Sequence, residues 1–99
     1  MEIDPLHMGK ILKEEFMDPN GLSAEQLADG INLPDYRIKD VLYGFDGINA
    51  DMSIRLGIFF GKDDSYFLNR SNDVDMRRCK RDGSQAYSEI KPFKRTAKQ

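Results

Sequence analysis

The stretch LSAEQLADGINLPDYRIKDVLYG, residues 22–44, decides how this chain folds. It opens with Ser23 followed three residues later by Gln26, a capping box in which each side chain serves the other residue's backbone N–H. Leu22 and Leu27 stand where a hydrophobic staple closes over that cap. Leu27, Ala28 and Ile31 then recur at helical spacing and face inward. The helix ends near Asn32, one of the few non-glycine residues that tolerates a left-handed backbone. Pro34 restarts the chain, because proline at a first helical position forfeits no hydrogen bond. A second helix runs to Tyr43, turns Ile38, Val41 and Leu42 inward, and stops at Gly44. Two short helices joined by about three residues, with the small Ala28 at their close approach, read as a helix-turn-helix.

The same punctuation organises the sequence on either side. Upstream, a helix over residues 7–17 lines Ile11, Leu12, Phe16 and Met8 along one face. Asp18-Pro19-Asn20-Gly21 ends it, since proline bars the preceding residue from helix and Asn-Gly favours a turn. Downstream, Asn49 caps a helix over residues 50–60 with Met52, Leu56, Phe59 and Phe60 apolar, and Gly61 ends it. A fifth helix is expected over residues 63–81, with Tyr66, Phe67, Val74 and Met76 available for packing. From Asp82 the apolar pattern fails. The expected organisation is all-α: a five-helix domain over residues 1–81 and a flexible basic tail over residues 82–99.

Bulk properties agree with one small domain. A chain of 99 residues buries about two-thirds of its unfolded surface, enough for a core without staples. One cysteine, Cys79, allows no internal disulfide. The N-terminus, Met1-Glu2-Ile3-Asp4, is acidic where a targeting segment is basic, and no apolar run reaches membrane-spanning length. These features point to the cytoplasm and away from membranes. The net charge of −2 hides a strong asymmetry: residues 1–76 sum to −8 and residues 77–99 to +6. An acidic body with a basic tail follows.

Enzymatic chemistry finds little material. His7 and Cys79 lie at opposite ends of the chain, and no Ser/His/Asp set or Cys/His metal spacing forms. Gly44-Phe45-Asp46-Gly47 lacks the Gly-Lys-Ser/Thr of a phosphate loop. His7 reads as a helix-capping residue and Cys79 as an inert thiol. No catalysis, cofactor or metal is expected.

The helix-turn-helix is the signal with functional content. In such motifs the N-terminal half of the second helix presents side chains to base edges in the major groove. Here that stretch is Pro34-Asp35-Tyr36-Arg37-Ile38-Lys39-Asp40. With Ile38 turned inward, Tyr36, Arg37 and Lys39 point outward, with Asp35 beside them and Asp40 and Tyr43 flanking. Arg37 suits guanine, Lys39 a guanine or a phosphate, and Tyr36 a thymine methyl or a phosphate. Tyr36, Arg37, Lys39 and Asp40, with Ser23 and Gln26 at the start of the preceding helix, form the candidate DNA-contacting set.

Several runs together carry a family resemblance. Gly9-Lys-Ile-Leu-Lys-Glu-Glu-Phe16 and Gly21-Leu-Ser-Ala-Glu-Gln-Leu-Ala28 are followed in register by Arg37-Ile38, Gly44 and Gly47-Ile48-Asn49-Ala50-Asp51. Ile54-Arg-Leu56, Phe59-Phe60-Gly61, Phe67-Leu68-Asn69 and Asp75-Met76-Arg77-Arg78 complete the set. Across residues 7–78 the chain resembles the HigA antitoxins, within the Xre-type repressors. The resemblance implies a five-helix lambda-repressor-like domain that forms a homodimer through the fifth helix and nearby surfaces. It also implies a partner pair: a RelE-like ribonuclease toxin (HigB), which the antitoxin neutralises by binding, and a palindromic operator, which it represses.

The chain departs from that pattern at identifiable places. Met8 stands where the family usually has proline, Asn32 where the turn usually has glycine, and Phe67 where tryptophan is usual. The family's basic pair after Gly44 is replaced by Phe45-Asp46. An aspartate beside phosphate lowers affinity, and Asp35 and Asp40 act in the same direction. Two alternatives therefore stand beside the antitoxin reading: an Xre-type regulator without a toxin, and a protein-interaction module whose helix-turn-helix no longer binds DNA. In the tail, Tyr87, Ile90 and Phe93 recur every three residues among lysines and arginines, a pattern expected to order on a toxin or on DNA.

Overall fold

The computed structural model describes residues 7–94. Its helical segments follow one another without a strand among the described residues. The first is composite: α1 (Met8–Ile11), a π-helical stretch (Leu12–Met17) and a 3-10 turn (Asp18–Asn20). Then come α2 (Ala24–Ile31), α3 (Asp35–Leu42), α4 (Ala50–Phe60) and α5 (Tyr66–Ser88). This is the five-helix helix-turn-helix architecture read from the sequence.

The caps explain most of the boundaries. Ser23 Oγ accepts from the Gln26 amide at 3.0 Å and Gln26 Oε1 accepts from the Ser23 amide at 2.8 Å, so the capping box is complete. Asn49 Oδ1 accepts from the Met52 amide at 2.8 Å. Gly61 takes the left-handed conformation that ends α4, with φ 72°. His7 caps α1, its Nδ1 accepting from the Gly9 amide at 3.1 Å.

The core runs through every segment. Leu12, Leu27, Ile38, Leu56 and Phe67 are fully excluded from solvent. Phe16 centres an aromatic cluster, 4.8 Å from the Phe67 ring and 5.2 Å from the Phe60 ring, at separations where ring pairs attract beyond their buried area. Two buried serines fasten α5 to its neighbours. Ser53 Oγ donates to the Asp64 carbonyl at 2.6 Å and accepts from the Leu68 amide at 2.9 Å. Ser71 Oγ accepts from the Ile48 amide at 3.0 Å.

Four expectations are corrected. Pro19 does not end the first helix at Asp18, which keeps helical dihedrals (φ −59°, ψ −46°). Proline sits in the first turn of the 3-10 segment, where its missing N–H costs nothing, and Gly21 at φ 64° makes the stop. Pro34 is the N-cap of α3, so that helix begins at Asp35. Met76 is exposed and belongs to no core. The fifth helix starts at Tyr66 and passes Gly83 to end at Ser88. A lone helical glycine costs only about 1 kcal/mol relative to alanine, and here it leaves room for a side chain. The Tyr87 ring lies over Gly83, where a Cβ would sit 2.9 Å from it. Residues 84–94 are exposed. Arg95 and Lys98 of the basic tail lie outside the described residues, as does the acidic run Met1–Asp4.

Candidate nucleic-acid interface

The turn between α2 and α3 is fixed from both sides. Asn32 adopts φ 59°, and the Leu33 amide reaches back to the Ala28 carbonyl at 3.0 Å, the closing bond of a Schellman turn. Carbonyls at a helix end otherwise lack partners. Arg55, on α4, donates to the Ile31 carbonyl at 2.9 Å and to the Asn32 carbonyl at 3.2 Å. Asp51 holds Arg55 one turn away, at 2.9 Å from its Nε. Gly30 on α2 accepts the ring of Phe59 from α4, 2.5 Å from where a Cβ would stand.

With α2 and α3 held, the proposed contact residues take definite positions. Tyr36 is 59% exposed on α3. Arg37 is half-buried, and among the described residues no hydrogen bond or ion pair engages its guanidinium. Lys39 differs: its Nζ lies 2.9 Å from Glu25 Oε2 and 3.1 Å from Asp35 Oδ2. The hydrogen bond from Lys39 holds the Glu25 carboxyl below the usual carboxylate range, and Glu25 in turn raises the Lys39 ammonium. Asp40 is half-buried, and its carbonyl accepts from the amides of Phe45 (2.8 Å) and Asp46 (3.2 Å). Ser23 and Gln26 are exposed, but each has an oxygen committed to the capping box. The structure thus gathers Tyr36, Arg37 and Lys39 on one helix and leaves Ser23 and Gln26 as cap residues of another.

The surface is acidic for its shape. Residues 24–46 carry Glu25, Asp29, Asp35, Asp40 and Asp46 against Arg37 and Lys39. Because Lys39 is already neutralised, Arg37 is the side chain there best able to meet a new anion. Beyond α3, Gly44 turns the chain at φ 81°. Phe45 then projects with 77% of its surface exposed, its ring 6.3 Å from that of Tyr43. A small cleft of about 80 Å³ opens beside this loop, lined by His7, Phe45, Asp46, Gly47, Asp75 and Arg78 among others. Sequence reasoning missed Glu25, Arg55 and Arg78. The Asp51–Arg55 spacing was visible, but the carbonyls that Arg55 serves lie at the end of α2.

His7 and Cys79 do not meet: His7 is a buried cap and Cys79 is exposed on α5. Among the described residues no cluster of His, Cys, Asp and Glu is arranged to hold a metal, and no helix is long and apolar enough to cross a membrane.

No protein-family model matches the chain, but individual proteins do. It is 36% identical over 81 residues to virulence-associated protein I of Dichelobacter nodosus, covering 82% of this chain and 75% of that one. A solved addiction module antidote protein of the HigA family from Coxiella burnetii is 34% identical, with a TM-score of 0.75 over 92% of this chain and all of the other. The Pseudomonas aeruginosa antitoxin HigA, solved with the higBA promoter, is 29% identical at a TM-score of 0.77, again over 92% of this chain and all of the other.

Proposed function

The chain belongs to the HigA family of antitoxins, and from that premise we propose that it binds its own operator as a homodimer and neutralises a RelE-like ribonuclease toxin by binding it. The observation that carries the DNA half is the outward placement of Tyr36 and Arg37 on a second helix whose approach is locked by Asn32 and Arg55. The promoter complex of the Pseudomonas aeruginosa relative supports the same reading. Arg37 reads a base edge, Tyr36 and Lys39 contact a base or phosphate, and Ser23, Gln26 and Asp40 flank them. A single helix-turn-helix reaches one half-site, so two copies place their recognition helices about 34 Å apart on a palindrome. Ile54 and Ile58 on α4 and Met76 on α5 are exposed and offer the apolar surface for that pairing. Residues 1–81 form the antitoxin domain in this reading and residues 82–99 its basic appendage.

A second reading has its own observation. The neutralised Lys39 and the acidic surface around it favour a toxin-binding module that has lost DNA binding. One experiment separates the two. The protein is co-expressed with the product of the neighbouring open reading frame and pulled down, and the purified protein is titrated with its own promoter DNA at several salt concentrations. Co-purification with a salt-dependent promoter shift supports the full reading. Co-purification without any shift leaves the interaction module, and a shift without a partner leaves a regulator.

A further inference from the structure

We propose that Phe45, braced by Tyr43, reads the C5-methyl group of a thymine at the edge of each operator half-site. The proposal rests on the operator-binding reading above. Helix α3 has eight residues, a length of about 12 Å, which matches the width of the major groove. A helix of that length brings its C-terminal end to the groove's margin. There the chain presents two exposed aromatic rings, Tyr43 and Phe45, and at Asp46 an anion that phosphate repels. The apolar feature that base edges show in the major groove is the thymine methyl, and phenylalanine is among the side chains suited to it.

These rings continue the face that carries Tyr36. Tyr43 follows Tyr36 by two helical turns, so the two side chains leave that part of the chain in the same direction, and both are exposed. The Phe45 ring lies 6.3 Å from that of Tyr43, tilted by 47°, within the range where ring pairs attract. Tyr43 is therefore a positioning residue. The backbone under Phe45 is fixed at both ends. The Asp40 carbonyl accepts from the amides of Phe45 and Asp46, and the Val41 carbonyl from that of Gly44 at 3.1 Å. On the far side Gly47 packs against α5, where a Cβ would stand 3.1 Å from Ser71 Oγ. Ser71 accepts from the next amide, that of Ile48, at 3.0 Å. A ring held out on so constrained a loop has little freedom left to lose on binding.

The test measures binding of the full chain to its promoter with each thymine replaced in turn by deoxyuridine, which removes the methyl group and nothing else. The parent is compared with Phe45→Ala, Phe45→Leu and Tyr43→Ala, with helicity checked for each. Burying one methyl group is worth about four-fold in affinity. Replacement at one position of each half-site should weaken the parent by about that factor. Phe45→Ala should bind the natural promoter at least about four-fold more weakly and should no longer distinguish thymine from deoxyuridine at that position. Phe45→Leu should still distinguish them, and Tyr43→Ala should do so less sharply. The salt slope should stay parental throughout, because an apolar contact releases no counterions. Parental affinity in Phe45→Ala overturns the proposal, as does weaker binding that keeps every thymine preference of the parent. A Phe45→Ala variant that binds the promoter normally but no longer co-purifies with the neighbouring gene product also overturns it and assigns the ring to that protein. A parent that binds no DNA at any salt removes the operator reading itself, and the thymine contact with it.

Discussion

Lys39 Nζ on α3 stands 2.9 Å from Glu25 Oε2 on α2, so the two helices of the motif are joined by an ion pair on the surface proposed to face DNA. The pair is exposed and adds little stability. Its consequence is electrostatic: a cation suited to phosphate is already occupied. Replacing Glu25 with Gln should leave Lys39 paired with Asp35 alone and remove one negative charge from the interface. Promoter affinity should rise several-fold and the salt dependence should steepen, read by fluorescence anisotropy at two or more salt concentrations. Unchanged binding would place Lys39 away from the DNA.

Arg37 and Lys39 should fail in different ways. Arg37→Ala should cost about 1–3 kcal/mol at one base position and relax preference there, as loss of a bidentate guanine contact does. Lys39→Ala should weaken all duplexes alike, but lower the salt slope by less than the roughly one unit of an unpaired phosphate contact, because Glu25 and Asp35 already hold the ammonium. Binding to a panel of single-base promoter variants distinguishes the two patterns. If both variants keep the parent's preferences and slope, base reading does not come from α3.

Oligomeric state is tested through α4. Ile58 is 78% exposed and Ile54, one turn earlier, 45%, and adjoining exposed apolar side chains of this kind mark an interaction surface. Ile58→Asp should convert a dimer into a monomer by light scattering at micromolar concentration, with unchanged helicity. Promoter affinity should fall with it, since each monomer holds only one half-site. A parent that is monomeric under the same conditions would remove the homodimer from the reading.

Two glycines should respond differently to the same change. At Gly9 a Cβ would collide with the Val41 carbonyl oxygen and lie 2.7 Å from Leu42 Cα. Both are backbone atoms of α3 that cannot move aside. Gly9→Ala should therefore destabilise by about 1–3 kcal/mol or more, the range for overpacking. At Gly21 nothing lies within 4 Å, and only the left-handed backbone resists. Gly21→Ala should cost about 1–2 kcal/mol. Thermal unfolding of the two variants checks the order.

Arg70 on α5 holds Glu15 in the first helical segment through bonds of 2.6 and 3.1 Å. Chiefly because of that hydrogen bonding, the Glu15 carboxyl titrates below its ordinary value of 4.5. A carboxylate whose pKa is depressed by folding stabilises the fold above its unfolded value. That stabilisation disappears as pH falls through the folded value. Half of the Glu15 side chain is exposed, so the pair contributes only about 0.2–1 kcal/mol. Glu15→Gln should lower the melting temperature slightly at neutral pH and not at pH 3. A difference that persists at pH 3 would assign the effect to packing instead.

Much of this protein was legible along the chain because it is local. The capping box of Ser23 and Gln26, the Asn49 cap, the stop at Gly61 and the left-handed Asn32 each involve residues within a few positions of one another. The apolar spacing around Leu27, Ile31, Ile38 and Leu56 identified the core for the same reason, since a helix turns at a fixed rate. Residues whose partners are distant were not legible. Arg55 closes the end of α2 from 23 or 24 residues away, Ser71 holds Ile48 across 23, and Arg70 reaches Glu15 across 55. Pro19 misled as a local signal, because in the first turn of a 3-10 segment its missing N–H costs nothing, and the loss of apolar pattern after Asp82 misled because α5 stays helical to Ser88. The sequence by itself determined five helices and most of the residues they turn inward, Met76 on α5 excepted, for these depend on spacing and caps. Only the tertiary structure decided that Lys39 is occupied by Glu25 and that Arg78 lies at the Phe45–Asp46 loop. Both depend on how helices distant in sequence cross, and a crossing is set by packing.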